Sequence, residues 1–330
     1  MRALVTGATG FVGSHLVEAL QRQGASVTAL VRSPAKASAL GWRDVSLAHG
    51  DLDDSAALAK AAQNQDVVFH LAGLVAAGNQ EEFDRANSLG TANLIRAVHQ
   101  SAQRPRLIFV SSFAAGGPTV PGAPLTGTEP AKPVTQYGRS KLAAEAMVRE
   151  SGLPWTILRP PMVYGQRDRE VLRVFRLARL GVAPQLGNGR QELSAIFGPD
   201  LATGLVAAAA SERTIGRIYL PCHERRFTSE DFLRSVGSAV AEATGRPGAT
   251  LRIVPVPEPV GRALLTVTGA LAGLVGKSTI LTSDKANEFF APAWTGDPWP
   301  LTRDTGWQAQ HDLSSGLAIT ATWYRSAGWL

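Results

Sequence analysis

Apolar residues recur with two different periods along the chain. Short runs with strand-like spacing fall at 2–5, 26–31, 45–48, 66–71, 106–110, 155–158 and 216–220. Between them lie stretches at helical spacing: 14–20, a long one over about 79–102, and one entered at Tyr137. Strands alternating with helices predict an α/β fold, a parallel, doubly wound sheet with helices on both faces. A Pro- and Gly-rich connection over 116–133 is long enough to be a functional or flexible loop. Beyond 165 the alternation loosens. Residues 168–180 and 200–210 read as helices, Thr228-Ser229-Glu230-Asp231 opens another with capping residues, and a short helix ends the chain. The expected division is 1–165 plus about 195–221 as one domain, and about 166–194 plus 222–330 as a smaller, mixed one. No internal repeat occurs.

The strand ends carry the candidate chemistry. Gly7, Gly10 and Gly13 lie between the first strand and its helix. Gly7 permits a tight turn, Gly10 lets the backbone approach a pyrophosphate, and Gly13 lets helix and strand pack closely. The helix N-terminus then offers unpaired N–H groups to phosphates. The spacing is Gly-x-x-Gly-x-x-Gly; such a triplet can be a plain turn, but its placement predicts phosphate binding by the stretch containing Thr9, Phe11 and Val12. The second strand ends at Arg32-Ser33-Pro34, with Lys36 close behind. A basic residue there suits a ribose 2′-phosphate, an acidic one the 2′-hydroxyl. NADP(H) is therefore expected over NAD(H), with a solvated loop arginine as the alternative. Leu71-Ala72-Gly73 closes the fourth strand with small residues that leave room for a cofactor across the sheet edge. Ser111-Ser112 closes the fifth, where a hydroxyl is a turn former or a donor to a substrate carbonyl.

Tyr137 and Lys141 stand four residues apart, on one face of a helix. A cation there favours the phenolate and would make the phenol a proton donor and acceptor near neutral pH. Alone, the pair reads more readily as an ordinary surface contact.

Composition narrows the partners. The net charge of +6 comes mostly from dispersed arginines, with no basic tract and interleaved aromatics, so nucleic acid is not expected. One cysteine, Cys222, excludes an internal disulfide, and the six histidines lack metal-ligand spacing, so no metal is expected. The N-terminus enters a strand pattern without a basic-then-apolar leader, which predicts a cytoplasmic protein. The apolar stretch 263–276 is too short to span a bilayer. It reads as a buried or lid helix, or as a peripheral membrane contact, with Arg262 and Lys277 at its ends. Arg169, Arg173 and Arg176 form a stripe, either a solvated face or an anchor for an anionic substrate group.

Seven ordered segments together resemble the extended short-chain dehydrogenase/reductase superfamily. They are Thr6-Gly7-Ala8-Thr9-Gly10-Phe11-Val12-Gly13, Gly50-Asp51-Leu52, His70-Leu71-Ala72-Gly73, Asn87-x-x-Gly90-Thr91-x-Asn93-Leu94, Val110-Ser111-Ser112, Tyr137-x-x-x-Lys141 and Leu158-Arg159-Pro160-Pro161-x-Val163-Tyr164-Gly165. The resemblance implies a Rossmann-type cofactor domain with a smaller substrate domain. It makes Tyr137 the acid/base, Lys141 the residue that lowers its pKa and holds the nicotinamide ribose, and Ser112 the donor to the substrate oxygen, with Ser111 as fallback. It likewise gives Asp51 and Leu52 to adenine, Pro160, Pro161 and Val163 to the nicotinamide, and Asn87 and Ser111 to the cofactor; Phe113 and Ala114, with Arg173 and Arg176 of the stripe, are the candidate substrate residues. A homodimer through the helices holding Asn87 and Tyr137 is the family habit.

Within the superfamily, dehydratases carry an Asp-Glu pair after the catalytic hydroxyl, where Phe113-Ala114 stand here. Many nucleotide-sugar epimerases carry an Asn where this chain has Pro161-Met162, and the Tyr of Ser-Ser-x-Ala-x-Tyr-Gly is replaced by Gly116-Gly117. The stretch 263–276 resembles that of hydroxysteroid-dehydrogenase-like and dihydroflavonol-reductase-like members. The expectation is an NAD(P)(H)-dependent oxidoreductase acting on a fairly apolar carbonyl or alcohol. The Gly187-Asn188-Gly189-Arg190 turn and the arginine stripe also suit an epimerase with tightly bound NAD. A non-catalytic NADP(H) sensor is the third reading.

Overall fold

The seven apolar runs become the seven strands of one sheet in the computed structural model, which describes residues 1–274 and 278–330. These are β1 (Arg2–Thr6), β2 (Ser26–Val31), β3 (Val45–His49), β4 (Val67–His70), β5 (Arg106–Val110), β6 (Trp155–Leu158) and β7 (Arg217–Tyr219). All pair in parallel, in the order β7-β6-β5-β4-β1-β2-β3, so the chain reverses its winding beside β1. In such sheets the crevice at the carboxyl ends of the strands flanking the switch receives the ligand. β4 is buried along its whole length, as a strand covered on both faces must be.

Helices α1 (Phe11–Arg22), α2 (Gly90–His99), α3 (Gln136–Glu150), α4 (Gly198–Ala210) and α5 (Glu258–Leu274) set the frame. Leu16, Val17 and Leu20 of α1 meet Leu201 and Leu205 of α4 on one face of the sheet. Leu94 and Val98 of α2 and Ala144 and Val148 of α3 cover the other. The helix expected at 79–102 is present in three pieces, because a π-turn over Asp84–Leu89 separates Gln80–Phe83 from α2. π-turns concentrate at functional positions, and this one carries Asn87.

After β6 the chain returns to the sheet only as β7 and otherwise builds short strand pairs: Met162–Tyr164 with Ala195–Phe197, and Val182–Leu186 with Arg252–Val256. Phe175, Phe197, Val236, Leu317 and Tyr324 form a separate core there. The helix expected at 168–180 is narrower, Leu172–Arg179. Asp168 accepts from the N–H groups of Glu170 and Val171 at 2.8 and 3.2 Å, which holds that stretch as a turn before the helix begins.

The apolar stretch 263–276 forms most of α5; residues 275 and 276 lie outside the described residues. The buried-helix reading is corrected here, since only Gly261 and Leu265 of α5 are buried. No helix among the described residues is long and apolar enough to cross a membrane.

Candidate active site

The turn after β1 is fixed by close backbone approaches. Gly7 has φ +71°, and a Cβ there would lie 2.7 Å from the Ala72 nitrogen. A Cβ on Gly13 would lie 2.1 Å from the Gly7 carbonyl oxygen, so no other residue lets α1 sit this close to the strand end. At its N-terminus α1 has Gly10 as N-cap, no side-chain cap and no acidic residue in the first turn. Its N–H groups and positive dipole end are thus left for an anion. A dinucleotide pyrophosphate fits this cradle.

Arg32 and Lys36 are exposed just past the end of β2, and neither has an ion-pair partner among the described residues. Asp51 turns its carboxylate to the N–H groups of Asp53 and Asp54, at 2.9 and 3.1 Å, shaping the loop after β3. Leu52 packs where a Cβ on Gly90 would come within 2.7 Å of it.

Buried His70 bridges two hydroxyls across the ends of β1 and β4: Thr6 at 2.7 Å through Nδ1 and Thr91 at 3.0 Å through Nε2. Burial, with the Lys141 charge as a smaller influence, pushes its pKa down to about 3, so the ring stays neutral. Thr6 also accepts from the Ala72 N–H at 3.2 Å, which ties the small Leu71-Ala72-Gly73 segment to β1. Asn87 accepts from the Leu74 N–H at 2.8 Å and donates to Ser140 at 2.9 Å. A Cβ on Gly73 would stand 2.6 Å from the Asn87 side-chain oxygen and 3.6 Å from Lys141 Nζ, so Gly73 lies directly against both.

Tyr137 is in the first turn of α3, whose N-cap Thr135 accepts from the Gly138 N–H at 3.2 Å. Burial pushes the phenol up to about 12; a hydrogen bond with Ser112 pulls it down and the Glu288 carboxylate pushes it further up. Lys141 is not among the groups that act on it. The Lys141 ammonium donates to the Val110 carbonyl at 2.9 Å and sits 5.0 Å from the Phe109 ring centre. Burial lowers its own pKa to about 8, while Glu145 opposes the shift. In this geometry burial raises the phenol's pKa, and Ser112 is the neighbour that lowers it, while Lys141 is held by the Val110 carbonyl.

The strand-end hydroxyls divide the work. Ser112 caps the short helix Phe113–Gly116 and faces the Tyr137 phenol. The Ser111 hydroxyl instead points inward, donating at 2.5 Å to Glu145, which is held by Arg159. Its side chain is thereby occupied, which removes it as the fallback donor. Phe113 and Ala114 are buried, Phe113 in a cluster with Leu220 and Trp294, so both pack rather than line an open space. Arg173 pairs with Glu170 at 3.3 Å, and Arg176 donates to the Trp329 carbonyl at 3.2 Å. Pro160 accepts from the Phe113 N–H at 3.0 Å; Val163 is half-buried beside Ile196.

Sequence reasoning missed the segment that lies over Tyr137. Asp284 accepts from the Gln136 N–H at 2.9 Å, Glu288 accepts from Thr135 Oγ1 at 2.7 Å, and Asn287 donates to the Val134 carbonyl at 3.3 Å. Lys285 stands 5.4 Å from the Tyr137 ring centre and 2.5 Å from Glu288. No local motif announces this. Glu145, in contrast, continues the four-residue spacing from Tyr137 through Lys141 and could have been read from the sequence.

Comparison with known proteins agrees with this geometry. The NAD dependent epimerase/dehydratase family matches residues 3–220. Ceramide reductase of Caulobacter vibrioides is 32% identical over 331 residues, covering 99% of this chain and 95% of that protein. 2-Alkyl-3-oxoalkanoate reductase of Shewanella oneidensis is 26% identical, covering 76% of this chain and 68% of its own length. The solved structure of MoeE5 in complex with UDP-glucose and NAD superposes with a TM-score of 0.77 at 25% identity, covering 99% of both chains. The chain belongs to the NAD-dependent epimerase/dehydratase family and is an NAD(P)-dependent enzyme of the extended short-chain dehydrogenase/reductase type.

Proposed function

We propose that the protein reduces the carbonyl of an apolar small molecule, or oxidises the matching alcohol, with NADP(H) favoured over NAD(H). The observation that carries the apolar substrate is the similarity to ceramide reductase over 99% of the chain; beside it stands an open groove of about 610 Å³ lined by Leu186, Pro255, Pro257, Phe289 and Phe290 and by the polar Asn188, Arg190, Gln191 and Glu258. Its volume suits a small-molecule ligand. Its wall belongs to the segment that carries Lys285 and Glu288 over Tyr137. Arg173 and Arg176, the groups that would grip a nucleotide diphosphate, have other partners. Ceramide reductase and 2-alkyl-3-oxoalkanoate reductase carry names that point the same way.

The Gly7–Gly13 turn and the α1 N-terminus would hold the pyrophosphate, Arg32 and Lys36 the 2′-phosphate, Asp51 and Leu52 the adenine side, and Ala72, Gly73, Asn87 and Lys141 the nicotinamide ribose. When bound, the nicotinamide supplies or accepts the hydride. The chain's own task is the proton. Tyr137, kept protonated by burial, donates to the carbonyl oxygen as that oxygen gains charge, and Ser112 offers it a second hydrogen bond. Lys141 supplies a buried positive charge beside them, and the 166–194 and 222–330 segments form the substrate side. The exposed Leu89, at the end of the π-turn, suits a homodimer contact in the cytoplasm.

An epimerase remains the second reading because MoeE5 is solved with UDP-glucose and NAD. NADPH consumption on adding long-chain β-keto compounds, with none on adding a UDP-sugar, is the expected result. Interconversion of a UDP-sugar without net cofactor oxidation would reverse the choice.

A further inference from the structure

We propose that α5 docks on a lipid bilayer, its outer face inserting at the headgroup–acyl boundary and holding the cavity at its base against the membrane. The proposal rests on the apolar-substrate reading and adds where that substrate comes from. Val260, Leu264, Val267, Leu271 and Leu274 follow helical spacing and are each between 52% and 83% exposed. From 263 to 274 the helix has no charged residue. Its polar side chains do not roughen the face: Thr266 donates to the Arg262 carbonyl and Thr268 to that of Leu264, both at 2.9 Å, so both hydroxyls are satisfied within the helix. Seventeen residues make a rod of about 25 Å, long enough to lie in the interface plane and too short to span it.

The base of the rod is fixed to the cavity. Pro257 and Glu258 line it, and Gly261 presses so closely on Phe290 that a Cβ would lie 2.6 Å from the ring. The positive group at that end suits an anionic surface: Arg190 is exposed and has no ion-pair partner among the described residues, whereas Arg262 is paired with Glu258 at 2.8 Å. A second copy is the weaker occupant. A stable two-fold contact buries about 800 Å² per partner, more than one stripe of five side chains offers.

The test is flotation of the full chain with vesicles of phosphatidylethanolamine and phosphatidylglycerol, and separately of phosphatidylcholine, at low and high salt. The protein is expected to float with the anionic vesicles and to stay bound at high salt, because apolar insertion is not screened. The triple variant L264S/V267S/L271S should bind about tenfold more weakly with unchanged NADPH affinity, which also reports its folding. Wild type remaining in solution with every vesicle, or a variant floating as wild type does, would overturn the proposal. A dimer that dissociates in the variant, seen by sedimentation velocity without flotation, would assign the face to a second copy instead. Flotation by a protein that turns over only UDP-sugars would refute the apolar-substrate reading and leave the docking intact.

Discussion

The Arg159 guanidinium grips Glu145 with two hydrogen bonds, Nε to Oε1 at 2.8 Å and Nη2 to Oε2 at 2.6 Å, with both side chains almost wholly out of solvent. A buried pair of this kind is sensitive to losing one partner more than both. Glu145→Gln should lower stability by about 3–5 kcal/mol, and the Glu145→Met/Arg159→Met double variant by less than either single change. Urea unfolding midpoints decide it; additive losses would mean the pair is not coupled.

Tyr137→Phe keeps the ring and removes the acid. Turnover should fall by roughly 10³-fold with cofactor affinity within a factor of two, as fluorescence titration would show. Ser112→Ala should fall by about 10²-fold, having lost one donor to the oxygen. Retained turnover in Tyr137→Phe would remove the phenol from the mechanism.

Arg32→Asp exchanges a phosphate partner for a hydroxyl partner. The ratio of kcat/KM for NADPH over NADH should drop at least about tenfold, the value of one lost charge-assisted contact. An unchanged ratio would place the 2′-phosphate elsewhere.

Glu288 pushes the Tyr137 phenol up through its negative charge. Glu288→Gln keeps an acceptor for Thr135 and removes that charge, so the phenol should ionise at lower pH. The alkaline limb of kcat/KM should move to lower pH, while a limb that stays put would show that the charge does not reach the phenol.

His70 has a folded pKa of about 3, against an ordinary value of 6.5. The unfolded chain therefore takes up the proton first as pH falls, and stability decreases from pH 6.5 toward 3. The full loss is about 5 kcal/mol at 1.36 kcal/mol per pH unit. His70→Gln should flatten that part of a plot of urea midpoint against pH; an equally steep plot would trace acid sensitivity to other groups.

The sheet and the cofactor edge were legible because a strand covered on both faces must be a continuous apolar run, and its end must carry the small or hydroxylic residues a ligand needs. Gly7, Gly13 and Ser112 stand out at strand ends that way, and Tyr137 by its four-residue spacing to Lys141. The spacing could not say which way a strand-end hydroxyl turns, so Ser111 read like Ser112 until Glu145 was seen to hold it. Nor could it show Phe113 filling the space beside Trp294. The stripe of Arg173 and Arg176 reads either as a solvated face or as an anchor for an anionic group, and spacing could not show that its partners come from Glu170 and the Trp329 carbonyl. Asp284, Lys285 and Glu288 were invisible because they reach the start of α3 from some 150 positions away, through a loop whose own pattern carries no period.

The three hydrogen bonds from 284–288 to the start of α3 have a kinetic meaning. Any outward swing of that segment to admit a bulky molecule strips acceptors from the Gln136 N–H and the Thr135 hydroxyl, in the same turn that presents Tyr137. A bulky substrate that had to displace this segment would therefore turn over more slowly than a small ketone that did not, a difference that comparing kcat for the two would show.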